Sequence, residues 1–154
     1  MINLLFEELT KGELNKLMSI CEEKSFKKDE VIFSKDDPAN DLYIIIEGEC
    51  EVKAALSGRT EYYTLSRLKE GEIFGEIGFL ELSKRTATVK CAKPTKTLVL
   101  NRRKFDNLIM KNPDIGMLIF KKFALMLSKR LRDMDEQLKN FYLNTRVSFS
   151  KLFG

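Results

Sequence analysis

The spacing of apolar side chains changes twice along this chain, and that change constrains the fold more than any other feature. Between about residues 23 and 101, apolar and polar side chains alternate in short runs, separated by turn-forming residues such as Gly48, Gly58 and Pro94. Alternation with a period of two is the pattern of a strand with one buried face. Short strands that recur about every ten residues predict an antiparallel sandwich or barrel of about eight strands.

A helical spacing precedes this region. Apolar residues that include Leu14, Leu17 and Cys21 recur on one face of a predicted helix over residues 4–20. Thr10 and Glu13 have the spacing of a capping box, in which each side chain bonds the other residue's backbone N–H group. We therefore predict an N-terminal helix within residues 1–22.

Helical spacing also follows the strand region. After a short helix from Arg102, Asn112 and Pro113 suit the N-cap and the first position of a last helix, which we expect to reach about Phe141. Along that helix runs an apolar seam with heptad spacing. Its members are Met117, Phe120, Ala124, Leu127, Leu131, Met134, Leu138 and Phe141.

The seam has two interpretations. The positions up to Ala124 are expected to pack on the strand region, because an amphipathic helix buries its apolar face. The later positions extend past that region, and we predict that they pair two copies of the chain. These dimer-helix residues are Leu131, Met134, Leu138 and Phe141.

The spacing changes also predict the domain organisation. One domain is expected over residues 1–143, with the N-terminal helix at 1–22, the β-barrel at 23–101 and the C-terminal helices at 102–143. Residues 144–154 are predicted to form a frayed tail. No internal repeat and no linker interrupts this order.

The composition narrows the chemistry. The 154 residues carry a net charge of +4, too small a bias to indicate nucleic acid or an anionic membrane as a partner. No histidine is present, which removes Ser-His-Asp triads and Cys-His dyads. We therefore expect no enzyme, no metal ion and no cofactor.

Cellular location is predicted from three observations. No apolar run approaches the roughly 20 residues of a membrane span, and the first residues lack the basic region of a secretory signal. Cys21, Cys50 and Cys91 are odd in number and far apart, which indicates reduced thiols in a cytoplasmic protein. Cys50 and Cys91 fall on the apolar faces of alternating strands, so we expect them in the core.

One segment carries the chemistry of a binding site. Gly75 and Gly78 flank Glu76, and Arg85 follows nine residues after that glutamate. A phosphodiester anion suits the planar, two-pronged guanidinium of Arg85 and free N–H groups at a helical start. A ribose hydroxyl suits a carboxylate acceptor such as Glu76. The segment therefore predicts a site for a small anionic ligand that needs no metal.

The same segment resembles the phosphate-binding cassette of the cyclic nucleotide-binding domain family. The resemblance rests on Phe-Gly-Glu-Ile-Gly-Phe-Leu at residues 74–80 and Arg-Thr-Ala-Thr-Val at residues 85–89. Residues 41–48 and 112–114 resemble two further family segments, so the likeness covers about residues 4–141. The family includes the bacterial catabolite activator, the regulatory subunit of protein kinase A and cyclic nucleotide-gated channels.

The resemblance implies a mainly β fold, an eight-stranded antiparallel jelly-roll barrel with helices at both ends. It also implies that Arg85 binds the phosphate, that Glu76 accepts from the ribose 2′-hydroxyl, and that Thr86 lies beside phosphate and purine. Thr86 does not decide between cyclic AMP and cyclic GMP. The implied ligand-binding residues are Gly75, Glu76, Ile77, Gly78, Arg85 and Thr86.

Family members close their C-terminal helix over the base, which implies a lid residue on the last helix. The candidates are Arg130, Arg132, Met134 and Asp135. The chain lacks the helix-turn-helix domain of the catabolite activator, so it resembles a stand-alone bacterial module. The loop at residues 35–40 lacks the glycines usual at that place in the family.

These observations predict a cytosolic cyclic nucleotide sensor that relays binding of cyclic AMP or cyclic GMP through its C-terminal helix. An unidentified protein effector would receive the signal, and neither nucleic acid nor membrane is an expected partner. The alternative is a ligand-free domain of the same fold that acts as a dimerisation or scaffold protein. A phosphodiesterase is not favoured, because one Glu and one Arg do not readily activate water.

Overall fold

The computed structural model of the chain describes residues 6–55 and 62–153, with side chains up to residue 145. The predicted turn at Ser57-Gly58 and the first two residues of the predicted N-terminal helix lie outside this part. The helices and strands follow in the order α1 (Lys11–Met18), β1 (Cys21–Phe26), β2 (Val31–Phe33), β3 (Asp41–Glu47), β4 (Glu49–Ala55), β5 (Tyr62–Lys69), β6 (Ile73–Phe74), α2 (Glu76–Glu81), β7 (Thr88–Cys91), β8 (Thr95–Asn101), α3 (Arg102–Lys111) and α4 (Pro113–Phe153).

The eight strands form two four-stranded antiparallel sheets. One sheet has the order β1-β8-β3-β6 and the other the order β2-β7-β4-β5. The chain passes repeatedly from one sheet to the other, and this order is that of a jelly roll. The predicted fold class is therefore confirmed.

Strand β3 has both faces buried and so links the two halves of the core. Leu42 and Ile44 face the helices, while Tyr43 and Ile45 face the space between the sheets. Successive side chains of a strand point to opposite faces, so a strand covered on both sides is a continuous apolar run. That accounts for the unbroken apolar residues in this segment.

The N-terminal helix is shorter than predicted. Thr10 caps it and forms the predicted capping box with Glu13, whose Oε2 accepts from the Thr10 N–H at 2.8 Å. Residues 6–9 lie outside the helix, although Phe6 is buried in the core. Cys21 was predicted on the face of this helix, but it begins strand β1, because the chain turns after Met18 and pairs with β8.

The last helix is longer than predicted, and it packs on the core with a different face. It begins at Pro113 as expected, but it continues to Phe153 where a tail was predicted from residue 144. Among its residues up to 145, the buried ones are Ile115, Gly116, Ile119 and Phe123. Of the early seam positions, which were expected to serve this purpose, Met117 and Ala124 are exposed, and Phe120 packs edge-on against Phe105 of α3.

In the described part of the chain, no helix has the length and apolar character needed to cross a membrane.

Candidate functional site

Among the described residues, Arg85 is a buried cation without a carboxylate partner. Its residue surface is 4% exposed, and its Nη1 donates to the Gly75 carbonyl oxygen at 3.1 Å. The guanidinium carbon lies 4.1 Å from the centre of the Phe33 ring. Its Nε is buried with no hydrogen-bond partner, and no described carboxylate reaches salt-bridge distance of the side chain.

The environment of this arginine is unfavourable for a charge. Burial lowers the pKa of the Arg85 guanidinium from its ordinary value, and electrostatic interactions with Tyr43 and Asp41 oppose that shift only in part. A buried charge that lacks a partner costs free energy, and an unpaired buried N–H donor adds to that cost. The arrangement would be stabilised by an anion placed against the guanidinium.

The loop before β3 fixes the position of Arg85. The Arg85 N–H donates to the Asp37 carbonyl at 2.9 Å, and the Asp36 N–H donates to the Arg85 carbonyl at 2.9 Å. The Lys35 N–H also donates to the Thr88 hydroxyl oxygen at 3.0 Å. The loop at residues 35–40 therefore holds the segment around Arg85 through backbone hydrogen bonds, like those between two paired strands.

Two glycines let the backbone approach closely here. Gly75 has φ +76° and precedes α2, and a Cβ atom on it would lie 2.6 Å from the Arg85 Nη1 atom. A Cβ atom on Gly78 would lie 2.2 Å from the Cβ atom of Ala39. Side chains at either position would displace the arginine or the loop, so both positions require glycine.

The last helix reaches the same place through Arg130. Glu76 is 5% exposed at the start of α2, and its Oε1 accepts from the Arg130 Nη1. The Arg130 Nη2 donates to the Ile73 carbonyl oxygen of β6. One guanidinium on α4 thus bonds both to the first residue of α2 and to the strand before it.

This geometry agrees with the comparison to known families. Residues 23–112, more than half of the chain, match the model of the cyclic nucleotide-binding domain. The chain belongs to the cyclic nucleotide-binding domain family. The resemblance stated on the cassette residues is therefore confirmed at the level of the family.

Three relatives give the extent of the similarity. A Rhodopseudomonas palustris protein named "Putative potassium channel protein" is 34% identical over 112 residues, which cover 73% of this chain and 26% of that protein. The structure of Thermus thermophilus catabolite activator protein matches with a TM-score of 0.75 and 28% identity, over 88% of this chain and 61% of that one. The structure of the regulatory domain of Toxoplasma gondii PKA with cAMP matches with a TM-score of 0.61 and 26% identity. The match covers 68% of this chain and 39% of that one.

Each of these relatives is longer than the segment that aligns with this chain. The chain spans less than two thirds of each of them. The extent of the domain, residues 1–143, and the stand-alone character of the module therefore stay predictions.

The cyclic nucleotide-binding domain brings some of its predicted site residues together and not others. Gly75, Glu76, Gly78 and Arg85 cluster around the start of α2, and Arg130 among the lid candidates joins them. Ile77 and Thr86 adjoin this cluster along the chain and are exposed. Three lid candidates are exposed on α4 and bond to none of the cluster residues in the described structure: Arg132, Met134 and Asp135. The binding role of every one of these residues stays a prediction.

Two residues of the site were not identified from the sequence. The rings of Phe33 and Tyr43, with centres 5.7 Å apart, lie beside the Arg85 guanidinium. Aromatic faces attract cations, so these rings partly stabilise the buried charge. Phe33 had only the pattern of a core residue on a short strand, and Tyr43 lay in the family-like segment 41–48 without a predicted role.

Proposed function

We propose that this chain is a cyclic nucleotide sensor module, with a ligand site at the cassette around Arg85. The unpartnered, buried Nε of Arg85 carries the proposal, because such a group is expected where a ligand supplies the missing acceptor. A phosphodiester anion is the suitable acceptor, since its oxygens match the planar guanidinium. The Toxoplasma gondii relative was crystallised with cAMP, which makes cyclic AMP the first ligand to test.

The proposed ligand lies with its phosphate at Arg85 and its ribose at Glu76. The carboxylate of Glu76 is the acceptor for the 2′-hydroxyl, and it is bonded to Arg130 in the structure. A hydroxyl that binds Glu76 at Oε1 would therefore compete with Arg130 for that oxygen atom. Binding in this way would release or reorient α4.

This competition gives the sensor a relay. A ligand shifts a conformational equilibrium only by its difference in affinity for the two states. Here the difference arises at Glu76, which binds either α4 through Arg130 or the ligand. The repositioned helix is the signal, and we place this sensor in the cytosol with a protein effector that reads the helix.

We further propose that the chain forms a homodimer through α4. The seven large seam residues of that helix are between 36% and 67% exposed in the structure: Met117, Phe120, Leu127, Leu131, Met134, Leu138 and Phe141. The core-facing residues of the helix lie on another face, so the seam is available to a second copy. Heptad spacing suits a pair of parallel or antiparallel helices.

Calorimetry tests the ligand site. The chain is unfolded and refolded to remove nucleotide carried through purification, and then titrated with cyclic AMP and with cyclic GMP. We expect saturable binding of at least one. Arg85→Glu should weaken it by roughly 100-fold or more, because two charge-assisted hydrogen bonds are lost and a repulsive charge is added.

Arg103→Glu is the matched control, because Arg103 is an exposed arginine of α3 and undergoes the same change of charge. This variant should bind like the wild type. Equal affinity in Arg85→Glu and wild type would contradict the site, whichever nucleotide binds.

The alternative is a scaffold that has lost ligand binding, and one observation favours it. The Glu76 carboxylate is already satisfied by Arg130, so that part of the site needs no ligand. The scaffold predicts a melting temperature that no cyclic nucleotide changes, whereas a ligand that binds the native state must raise it by mass action. A thermal-shift series over ligand concentration separates the two proposals.

A further inference from the structure

Cys50 and Cys91 lie directly opposite each other on neighbouring strands. They are register partners in the antiparallel pair of β4 and β7. Both are fully buried, both are free thiols, and their Sγ atoms are 4.0 Å apart. Ordinary core packing would explain two buried thiols, but it does not require that they face each other.

The backbone bonds define the geometry of this pair. The Cys91 N–H donates to the Glu30 carbonyl at 2.8 Å, and the Cys91 carbonyl accepts from the Asp29 N–H at 2.8 Å. Both backbone groups of Cys91 therefore point away from β4, which makes Cys50 and Cys91 a non-hydrogen-bonded pair. Cα atoms in such pairs are about 4.5 Å apart, and disulfides span Cα distances of about 4.4–6.8 Å.

We propose that Cys50 and Cys91 form an intramolecular disulfide when the folded protein meets hydrogen peroxide. The thiolate of one cysteine attacks a peroxide oxygen, the O–O bond breaks, and a sulfenic acid and water result after proton transfer. The second thiol attacks the sulfenic sulfur, forms the S–S bond and expels a second water. Two thiols and one peroxide thus give one disulfide and two waters, and the peroxide accepts the two electrons.

Reaction of buried thiols requires local opening of the fold. Burial raises the pKa of the Cys50 thiol to about 12, and it also raises the pKa of the Cys91 thiol, so thiolate is scarce in the closed state. Strand β2 is the edge strand beside β7. It has only three residues, and its register with β7 is irregular. Short edge strands open at low cost, so Cys91 is the thiol that becomes accessible first.

The disulfide would close the chain around the candidate ligand site. The linked segment contains the whole cassette from Gly75 to Arg85, and β7 begins three residues after that arginine. A disulfide across a loop of this length stabilises the fold by restricting the unfolded chain. It would also hold β7 against β4, so the strand that follows Arg85 would lose its freedom to open.

Thiol counting tests the proposal on the folded wild-type chain. The protein is treated with hydrogen peroxide, denatured, alkylated and weighed, and its peptides are mapped. We expect two of the three thiols to disappear with a loss of about 2 Da, and a peptide link from Cys50 to Cys91. Cys21→Ser should oxidise like the wild type, whereas Cys50→Ala should form no intramolecular link.

A thermal melt shows whether the native fold accommodates the bond. The oxidised wild type should melt roughly 5–15 °C above the reduced form, and reductant should reverse the increase. Three free thiols after peroxide treatment would overturn the proposal, and so would oxidation of Cys21 with Cys50 and Cys91 still free. Both results come from the wild type and do not depend on the variants folding.

Discussion

At the scale of single residues, Arg85 and Arg130 have opposite environments although both are arginines of the same site. Arg85 is buried with one unpaired nitrogen, and no carboxylate in the described part of the chain forms an ion pair with it. Arg130 is bonded to Glu76 and a backbone carbonyl, and a third of its side chain is exposed. The first is the group that would gain from a ligand, and the second is the group that a ligand would displace.

Gly78 gives a test of how closely α2 approaches the preceding loop. In Gly78→Ala the new Cβ atom would lie 2.2 Å from the Ala39 Cβ atom, so the loop must move. We expect the free energy of unfolding to fall by about 1–3 kcal/mol, the usual cost of overpacking. Chemical denaturation measures this change.

Two further variants serve as controls for Gly78→Ala. Gly12→Ala places a Cβ atom in open space on α1, and it should raise stability by roughly 0.5–1 kcal/mol through helix propensity. Ala39→Gly combined with Gly78→Ala removes the clashing atom, so it should recover most of the loss. A neutral Gly78→Ala alone would mean that the two segments are not in close contact.

The site residues that belong to one sequence motif were identified from the sequence. Those that lie far away in the chain and reach the site only through folding were missed. Gly75, Glu76 and Arg85 are recognisable because their spacing along the chain is fixed. Ala39 and Phe33 reach the site from distant segments, and a small or an aromatic residue on a strand or loop has no distinguishing pattern. Their contribution depends on the pairing of the loop with the arginine segment.

At the scale of elements, the strands that bury a face have the clearest sequence pattern, although the largely exposed β5 was also predicted. β4 alternates and β3 is apolar throughout, so both were predicted. β1 is a largely exposed edge strand with four polar residues in succession, and β6 has only two residues, so neither shows a period. Helix α4 has two faces with helical spacing, and periodicity alone does not say which one meets the core.

The contact between α4 and the cassette leads to a prediction for Arg130→Ala. If Arg130 competes with the ligand for Glu76, removing it should tighten binding of a cyclic nucleotide by about 3- to 10-fold, the range of a partly exposed ion pair. The 2′-deoxy form of the same nucleotide does not bond Glu76 and should show no gain. Calorimetric titration of both ligands measures the difference.

Arg132→Ala is the control, because Arg132 is an exposed arginine two positions along the same helix. It should leave both affinities unchanged. Weaker binding of both nucleotides by Arg130→Ala would mean instead that Arg130 contacts the bound ligand as a lid. The competition at Glu76 would then be wrong, while the ligand site at Arg85 would stand.

At the scale of the whole molecule, the helices are joined to one another around the cassette. Arg102 of α3 donates to the carbonyl oxygens of Phe79 and Leu80 at the end of α2. Glu8, before α1, pairs with Lys121 and Lys122 of α4. In the proposed relay, a ligand that takes Glu76 from Arg130 would therefore free α4, while α2 would stay bonded to α3 through Arg102.

The exposed seam of α4 gives the prediction for the assembled molecule. We expect a dimer in light scattering, and the double variant Leu131→Glu with Leu138→Glu should have a mass near that of one chain, 17.9 kDa. Two like charges at facing seam positions oppose pairing, because a buried unpaired carboxylate is costly. Both residues are more than half exposed in the single chain, so the variant should still fold.

Lys129→Glu is the matched control, since Lys129 is exposed and lies outside the seam. This variant should remain dimeric, and the melting temperature of the dimeric proteins should rise with protein concentration, because association stabilises the folded state by mass action. A monomeric wild type at all concentrations would contradict pairing through α4. The relay would then have to act within one chain, from Glu76 through Arg130 to a helix whose seam meets the effector directly.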